Sequence, residues 1–221
     1  MEKLAISIVL STISFLNRQK DVTRFLEIPI DGEKLEVVNK LKEKGFVPCQ
    51  GDDILEGKFK GSDVYLYIAT NDKDKVCRII VRDKNFVGEE EIKERFNTLC
   101  NKFKYASHYI SFMNYNIPKG ENISYEMSAD KKKYRAIFFQ TLQKIDIIEI
   151  KSEIKSRIEK ICTEKEERDI LEKECNNFLT SYLLYLLFKK SVKIAISESN
   201  GQYYITMYYD NVYNQTNGED L

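Results

Sequence analysis

The sequence predicts an α+β protein in which an antiparallel sheet of hairpins packs on two amphipathic helices, with an inserted helical hairpin. Three observations predict this fold class. Strand-like segments rich in Val, Ile and Tyr follow one another over residues 54–82, helical periodicity precedes and follows them, and two further strand-like segments surround Asn200-Gly201. The chain has 221 residues, of which 43% are hydrophobic and 32% charged, a composition typical of a globular protein.

The first element is an apolar run, LAISIVLSTISFL, at residues 4–16. Its length fits the hydrophobic region of a secretory signal and is too short for a helix that spans a bilayer. The next residues, Asn17-Arg18-Gln19, lack the small residues of a cleavage site. A signal peptide and a retained N-terminal helix therefore both stay open for residues 1–20, and no transmembrane segment is predicted.

A strand and a helix start are predicted next. Residues 22–28 alternate loosely between apolar and polar and end at Pro29, which favours extended backbone before it. Asp31 is the expected N-cap, because its side chain can accept hydrogen bonds from the free N–H groups of a helix start. The predicted helix spans residues 33–44.

This helix carries a predicted apolar stripe and an end signal. Gly45 is expected to end it in the left-handed conformation, with Phe46 folding back on the last turn. The apolar residues at helical spacing are Leu35, Val37, Val38 and Leu41.

The middle of the chain alternates between strands and one further helix. Gly61-Ser62 is the expected turn of a hairpin, and residues 89–104 carry apolar residues at helical spacing after an acidic start. The strands are predicted at residues 46–50, 54–60, 63–70, 76–82 and 134–142, with turns at residues 51–53 and 71–75.

Residues 145–190 have helical periodicity on both sides of residues 163–167, which could continue or break the helix. Two helices or one long bent helix are predicted, and an inserted antiparallel helical hairpin is favoured. Its second half, FLTSYLLYLLF, is apolar almost all round, so it must bury this surface on its own domain or on a protein partner. We expect that surface to contain Leu179, Leu183 and Leu186. The chain is therefore predicted to contain a signal peptide or N-terminal helix at residues 1–20, an α+β core at 21–144, the insertion at 145–190, and a final hairpin of the core with a loose tail at 191–221.

The stretch FLEIPIDGEKLEVVNKLKEKGF at residues 25–46 resembles the opening of an uncharacterised family of small exported proteins of gut anaerobic bacteria. The likeness continues with GKFKG at residues 57–61, Tyr208-Tyr209-Asp210 and a terminus like Asp220-Leu221. It covers residues 22–143 and 191–221, and the helical region between them looks like an insertion. Glu27 stands where the family usually has glycine, and the usual K-Y-G-x-P is KYAS at residues 104–107. The resemblance implies this fold unit and export to the periplasm or outside, but no catalytic residue.

Charge and cysteine content exclude several classes of function. Lys+Arg and Asp+Glu are balanced at 35 each, which gives no general field for nucleic acid, so no nucleic-acid partner is predicted. The five cysteines lie far apart with no CxxC pair, which indicates buried thiols rather than a zinc or redox site. They are Cys49, Cys77, Cys100, Cys162 and Cys175.

Three polar constellations have a structural and a chemical interpretation. His108, the single histidine, could approach Cys100 as a catalytic pair, although a surface histidine is the simpler interpretation. Asp72-Lys73-Asp74 lacks most ligands of a calcium loop and indicates a solvated turn. The acidic residues Asp52, Asp53 and Glu56 could carry out acid–base chemistry, but the sequence shows no feature that would separate their pKa values.

A basic cluster, Lys131-Lys132-Lys133, precedes Tyr134 and Arg135. Basic residues beside an aromatic can bind nucleic acid, but one short cluster in a neutral chain more simply indicates a soluble hairpin tip. No nucleotide-binding loop and no GxSxG elbow are present.

No catalytic, cofactor-binding or metal-binding residue is assigned from the sequence. The leading hypothesis is a non-enzymatic binding or interaction module that is exported. A small hydrolase or transferase using acidic residues is the second hypothesis, and an intracellular protein with free thiols is the third.

Overall fold

The computed structural model describes residues 1–16, 21–49, 54–143 and 145–215. The described chain contains six helices and ten strands. The helices are α1 (Glu2–Leu16), α2 (Lys34–Glu43), α3 (Glu89–Lys104), α4 (Ile123–Ser128), α5 (Ile147–Ile161) and α6 (Lys165–Phe188). The strands are β1 (Arg24–Phe25), β2 (Ile28–Pro29), β3 (Val47–Pro48), β4 (Ile54–Phe59), β5 (Ser62–Thr70), β6 (Val76–Asp83), β7 (Tyr109–Ile110), β8 (Arg135–Gln140), β9 (Ser191–Ser199) and β10 (Gln202–Asp210).

The chain divides into two compact units, which we call the helical unit and the sheet unit. The helical unit contains Met1–Asp21 and Leu142–Phe188, and the sheet unit contains Val22–Thr141 and Lys189–Leu221. The predicted insertion thus forms a unit together with the N-terminal helix, because α1 supplies part of its core.

An eight-stranded antiparallel sheet with the order β3-β4-β5-β6-β10-β9-β8-β7 forms the sheet unit. The strands β3 to β6 are a meander, and the C-terminal hairpin of β9 and β10 lies between β6 and β8. The α+β prediction is confirmed: α2 and α3 pack on one face of this antiparallel sheet.

One hydrophobic core joins the sheet to its two helices. Helix α2 contributes Val37 and Leu41, and α3 contributes a stripe at helical spacing. Both sets of side chains are excluded from water, which is the main stabilising contribution to such a layered fold. The α3 stripe consists of Ile92, Phe96, Leu99, Cys100 and Phe103.

The start of α2 differs from the prediction. Glu33 rather than Asp31 occupies the N-cap position, and its side chain makes no capping hydrogen bond. The carboxylate of Asp31 instead accepts the backbone N–H of Gly32 and the side-chain amide of Asn214. Gly32 has a φ of +83°, so the chain turns before the helix can begin.

The predicted apolar stripe of α2 is also partly wrong, because Leu35 is 69% exposed. The helix buries Val37 and Leu41, which lie four residues apart on one face. Val38 packs only at the margin of the core.

The predicted end of α2 is confirmed. Gly45 has a φ of +92°, its N–H donates to the carbonyl of Lys42, and the N–H of Phe46 donates to the carbonyl of Leu41. These two bonds form a Schellman motif that satisfies carbonyls at the helix end.

Residues 22–28 form a small hairpin rather than one strand. The chain reverses at Leu26 and Glu27, whose φ angles are +50° and +67°, and Arg24–Phe25 pairs with Ile28–Pro29. The turn is close to type I′, which requires left-handed conformations that glycine and asparagine adopt most easily.

The other hairpins follow the predicted patterns with small shifts. The turn between β4 and β5 lies at Lys60-Gly61, one residue before the predicted position, because Phe59 pairs with Ser62. Asn200-Gly201 joins β9 and β10 as predicted, with both residues at positive φ. The predicted turn at residues 51–53 lies outside the described residues.

The helical unit has its own core. Helices α5 and α6 form the predicted helical hairpin, and α1 packs against both. A single stripe from each helix is buried there, as the 3.6-residue period requires. Its members include Ala5, Ile8, Val9, Ile13, Ile150, Ile154, Ile158, Leu171, Cys175 and Leu179.

Candidate functional site

The two faces of the eight-stranded sheet differ in chemistry. The face toward α2 and α3 carries buried apolar side chains, such as Leu66, Ile79 and Met207. Successive strand residues point to opposite faces, so the other face receives the alternate positions. We call this second surface the open face. It carries aromatic and cationic side chains, which include Tyr65, Tyr67, Arg78, Arg82, Arg135, Lys193, Tyr204 and Tyr208.

Strand register aligns these side chains in rows across the open face. In one row Tyr65 is opposite Arg82, Arg82 is opposite Thr206, and Thr206 is opposite Ala195, which is opposite Arg135. Directly opposed side chains in an antiparallel sheet are close enough to interact. The cations of β6 and β8 therefore belong to one continuous surface.

A second row passes through the centre of the open face. Its members are opposed pairwise from β5 to β8: Tyr67, Ile80, Tyr208, Lys193 and Ile137. This row places an aromatic ring, a cation and an exposed apolar side chain next to each other.

A buried carboxylate orients two cations of the open face. The side chain of Asp210 is only 2% exposed; its Oδ1 accepts a hydrogen bond from Arg78 Nε at 2.5 Å, and Lys193 Nζ lies 3.3 Å from its Oδ2. The hydrogen bond to Asp210 raises the pKa of the Arg78 guanidinium. The same guanidinium lies 5.5 Å from the ring centre of Tyr208, within the range of a cation–π contact.

A groove of about 510 Å³ lies along β8 and β9 next to this cluster. We define the basic groove by its polar lining residues Arg78, Lys133, Arg135, Lys193 and Tyr208. Lys133 and Arg135 are exposed, and among the described residues neither forms a hydrogen bond or an ion pair with an acidic side chain. The groove thus has more positive than negative charge.

Two further carboxylates of the open face, Glu56 and Asp63, are already paired. Glu56 Oε2 accepts a hydrogen bond from Lys84 Nζ at 2.6 Å, and this bond is the main reason why the pKa of Glu56 is lowered. Asp63 pairs in the same way with Lys58 at 2.9 Å. These acidic groups therefore do not neutralise Lys133 and Arg135.

Arg82 has a different environment. Its guanidinium lies 5.0 Å from the ring centre of Tyr204 and 5.8 Å from that of Phe86. Its buried Nε finds no hydrogen-bond partner in the part of the chain that the structure describes. Two aromatic rings thus contact this cation on the open face, and no acidic side chain of the described residues pairs with it.

Comparison of the chain with protein-family models, with curated proteins and with solved structures finds no match. The resemblance to exported proteins of gut anaerobes therefore stays a prediction. The chemistry of the site has to be argued from these residues alone.

The predicted acidic site is not assembled in the described residues. Asp52 and Asp53 lie outside them, and Glu56 forms its ion pair with Lys84. The buried carboxylate of Asp83 faces α3, where it binds Arg95 and accepts the N–H of Ile205 at 3.2 Å. Glu56 and Asp83 thus each have a structural partner.

The Cys100–His108 pair is not formed. Cys100 is buried in the core, and this burial raises the pKa of its thiol to about 12. His108 is exposed, with its ring 4.6 Å from that of Tyr109. A thiol that stays protonated near neutral pH is not a nucleophile, so this cysteine acts as a small apolar side chain.

The lysine cluster contributes one residue to the basic groove. Lys132 pairs with Glu121 and Lys131 Nζ donates to the carbonyl of Ser128 at 2.8 Å. Lys133 alone of the three lines the groove, beside Arg135.

The predicted partner surface on α6 is partly occupied by the protein itself. Leu179 is 1% exposed within the helical unit, and Leu183 packs against the same cluster. Leu186 is half-buried. A partner could not contact Leu179 without disrupting this unit, so the predicted surface needs correction at that position.

The described residues show neither a metal-binding cluster nor a membrane-spanning helix. The described residues contain no cluster of three His, Cys, Asp or Glu side chains arranged for a metal ion. Asp72 to Asp74 form a turn held by the side chain of Asn71, which accepts the N–H groups of Lys73 and Lys75. Among the described helices, none combines the length and the hydropathy needed to span a bilayer.

Of the four residues that matter most here, the sequence interpretation missed Arg78 and Lys193 and noted Arg135 only beside the lysine cluster. Asp210 was noted only as part of a resemblance. The available signal was strand alternation, because each of these residues is separated by an even number of positions from other open-face residues on its strand.

Proposed function

We propose that the sheet unit is a non-enzymatic binding module that recognises a negatively charged ligand through the basic groove. The single observation that supports this most strongly is the pairing pattern of the cations. Arg78 and Lys193 are oriented by Asp210, whereas Lys133 and Arg135 have no acidic partner among the described residues. Exposed cations attract a negatively charged group, and cations that are held in position beside them orient it.

The aromatic rings of the open face add to this proposal. Tyr208 lies in the groove beneath Arg78, and Tyr204 stacks near Arg82. Rings at a surface supply contact area at a low cost in side-chain entropy, which makes them frequent in binding sites.

An acid–base enzyme has less support. The two buried carboxylates on the central strands, Asp83 and Asp210, lie on opposite faces of the sheet and each contacts an arginine. Retaining or inverting hydrolysis by acidic residues needs two carboxyl groups that face a common substrate. We therefore favour binding over catalysis.

The proposed binding surface differs from the helix face predicted from the sequence. A protein partner at Leu179, Leu183 and Leu186 would compete with the core of the helical unit. The basic groove needs no such rearrangement, because Lys133 and Arg135 are exposed already.

Fluorescence anisotropy with a fluorescein-labelled polyglutamate peptide tests the proposal. We expect the peptide to bind in a salt-dependent manner. The double variant Lys133→Gln/Arg135→Gln should weaken this binding about tenfold or more, because it removes two exposed cations that would contact the peptide. A matched control, Lys151→Gln/Lys155→Gln, removes the same charge from exposed positions of α5. Equal affinity of the two double variants would contradict the proposal.

Export is a further part of the proposal and rests on the apolar run at residues 4–16 and on the family resemblance. The same run forms α1, which buries Ala5, Val9 and Ile13 in the helical unit. N-terminal sequencing of the native protein tests export through a cleaved signal. An intact Met1 would instead support the intracellular alternative, in which the five cysteines stay as the free thiols seen in the structure.

A further inference from the structure

We propose that the outer edge of β8 receives an extended acidic peptide segment of another protein as an additional strand. We define this outer edge by the backbone of Arg135 and Ile137. The inference rests on the proposed function, since it names the kind of ligand that the basic groove would hold. It adds a mode of recognition, in which backbone hydrogen bonds fix the peptide and side chains select it.

Hydrogen bonding between β8 and β9 defines which backbone groups point outward. The N–H of Ile196 donates to the carbonyl of Tyr134, and the N–H of Gln140 donates to the carbonyl of Lys190, both at 3.0 Å. Hydrogen-bonded pairs alternate with non-bonded pairs along an antiparallel ladder. The even-numbered residues of β8 therefore bond to β9, and the odd-numbered residues point away from it.

The neighbouring strand β7 covers only one end of that outward side. The N–H of Thr141 donates to the carbonyl of His108 at 3.0 Å, and β7 pairs with Gln140 and Phe139. No strand pairs with Arg135 and Ile137 on this side in the described chain. Their two N–H groups and two carbonyls form a short template for an incoming strand.

Apolar side chains beside the outer edge can accept those of a peptide. Ile137 is 36% exposed and Ile110, at the end of β7, is 37% exposed. The ring of Phe112 lies 5.6 Å from that of Phe139 and is 58% exposed. A strand added here would cover these groups, which gives it apolar contacts as well as backbone bonds.

Charge decides between an acidic peptide and a second copy of this chain. Arg135 lies on the outer edge, Lys133 precedes it by two residues, and Lys193 is opposite Ile137 on the next strand. Antiparallel pairing of two β8 edges would bring the cations of both copies together, and like charges across strands are destabilising. An acidic peptide would instead neutralise them, which is why we assign the edge to such a partner.

A single proline substitution on the outer edge tests whether its backbone N–H groups bind the peptide. The variant Ile137→Pro removes one outward N–H and leaves the β9 ladder intact, which an edge strand tolerates. Ile137→Val keeps that N–H and removes one methylene group from the apolar contact, so it measures the contribution of the side chain separately from that of the backbone. The probe is a short fluorescein-labelled peptide in which glutamate alternates with valine, measured by anisotropy against the full chain.

We expect Ile137→Pro to weaken binding of this probe about tenfold, because one backbone hydrogen bond is lost and the adjacent backbone bonds are misaligned. Ile137→Val should weaken it by a clearly smaller factor, because only one methylene group of the apolar contact is lost. A second measurement does not depend on the folding of a variant. The same peptide methylated at alternate backbone nitrogens cannot donate to the edge, and we expect its affinity for the wild type to fall to a similar extent.

The outcomes separate this inference from the proposed function. If the methylated peptide and Ile137→Pro bind normally while Lys133→Gln/Arg135→Gln does not, the groove binds anions but the strand inference is wrong. Tighter binding of an oligothymidylate, or a wild-type dimer that Ile137→Pro dissociates, would also overturn it. If no acidic probe binds, both proposals are wrong, and the edge cations only protect β8 from pairing.

Discussion

The substitution Asp210→Asn is expected to lower stability and raise anion binding at the same time. Asn has the same shape, so the change removes the charge that Arg78 and Lys193 share but leaves one acceptor oxygen. The side chain of Asp210 is 2% exposed, and those of Arg78 and Lys193 are 37% and 49% exposed. The two cations are thus accessible to water and to a ligand, while the carboxylate is not.

The loss of stability follows from these exposures. A hydrogen bond to a charged group contributes about 1.5–3 kcal/mol, but hydration of the two half-exposed cations recovers part of it, so we expect about 1–2 kcal/mol for Asp210→Asn. For a domain of this size, that free energy corresponds to a decrease in Tm of about 2–8 °C. The matched control Asp63→Asn breaks a pair whose side chains are 47% and 80% exposed, and it is expected to cost less than about 0.5 kcal/mol.

Urea unfolding and anisotropy with the polyglutamate probe together measure the two effects. We expect Asp210→Asn to bind the probe about three to ten times more tightly, because two oriented cations lose their competing anion. Lower stability with unchanged affinity would show that Arg78 and Lys193 do not contact the ligand. Unchanged stability and unchanged affinity would refute the assignment of Asp210 as the group that orients them.

Three further predictions concern the fold. The substitution Glu27→Gly should stabilise the protein by about 0.5–1 kcal/mol in urea unfolding, because Glu27 has a φ of +67° that glycine adopts without strain; a loss of stability would contradict this. Gly57→Ala should destabilise by about 1–3 kcal/mol, because its Cβ would lie 2.6 Å from Cδ1 of Phe46, and Phe46→Leu in the same chain should recover part of the loss. Burial raises the pKa of the thiols of Cys100 and Cys175 to about 12 and about 11, so at pH 8 both should react with Ellman's reagent only after unfolding, and reaction in the folded protein would be evidence against their burial.

The elements that the sequence predicted correctly depend on local chemistry. Gly45, Asn200 and Gly201 lie at positions with left-handed backbone conformations, which few other residue types adopt easily. The helical hairpin was predictable because each stripe repeats over many turns. In these cases residues within about one helical turn contain the necessary information.

The wrong predictions involve distant partners. Asp31 has the chemistry of an N-cap, but its carboxylate binds Asn214, which is 183 positions away. Leu35 fits a helical stripe, but the sheet contacts only the face with Val37 and Leu41. The sequence does not indicate the turn at Glu27, because glycine or asparagine usually occupies such a left-handed position.

The candidate site was not predictable for the same reason. Arg78 and Asp210 are 132 positions apart, and only the insertion of the C-terminal hairpin between β6 and β8 makes them neighbours. Local sequence patterns indicate each strand but not the order of the strands in the sheet. Without the order, the cations of β6, β8 and β9 remain isolated residues on three strands.

The balanced net charge of the chain also gave no sign of this site. Net charge nevertheless has little influence on the electrostatic field within a groove of this size. Charges separated by more than about 8 Å are largely screened at physiological salt, so distant carboxylates do not cancel the field of Lys133 and Arg135. On the open face, Asp210 is paired with Arg78 and Glu56 with Lys84. The local field is therefore positive over a short distance only, which favours a short acidic segment over a long polyanion and predicts that raising the salt concentration weakens its binding.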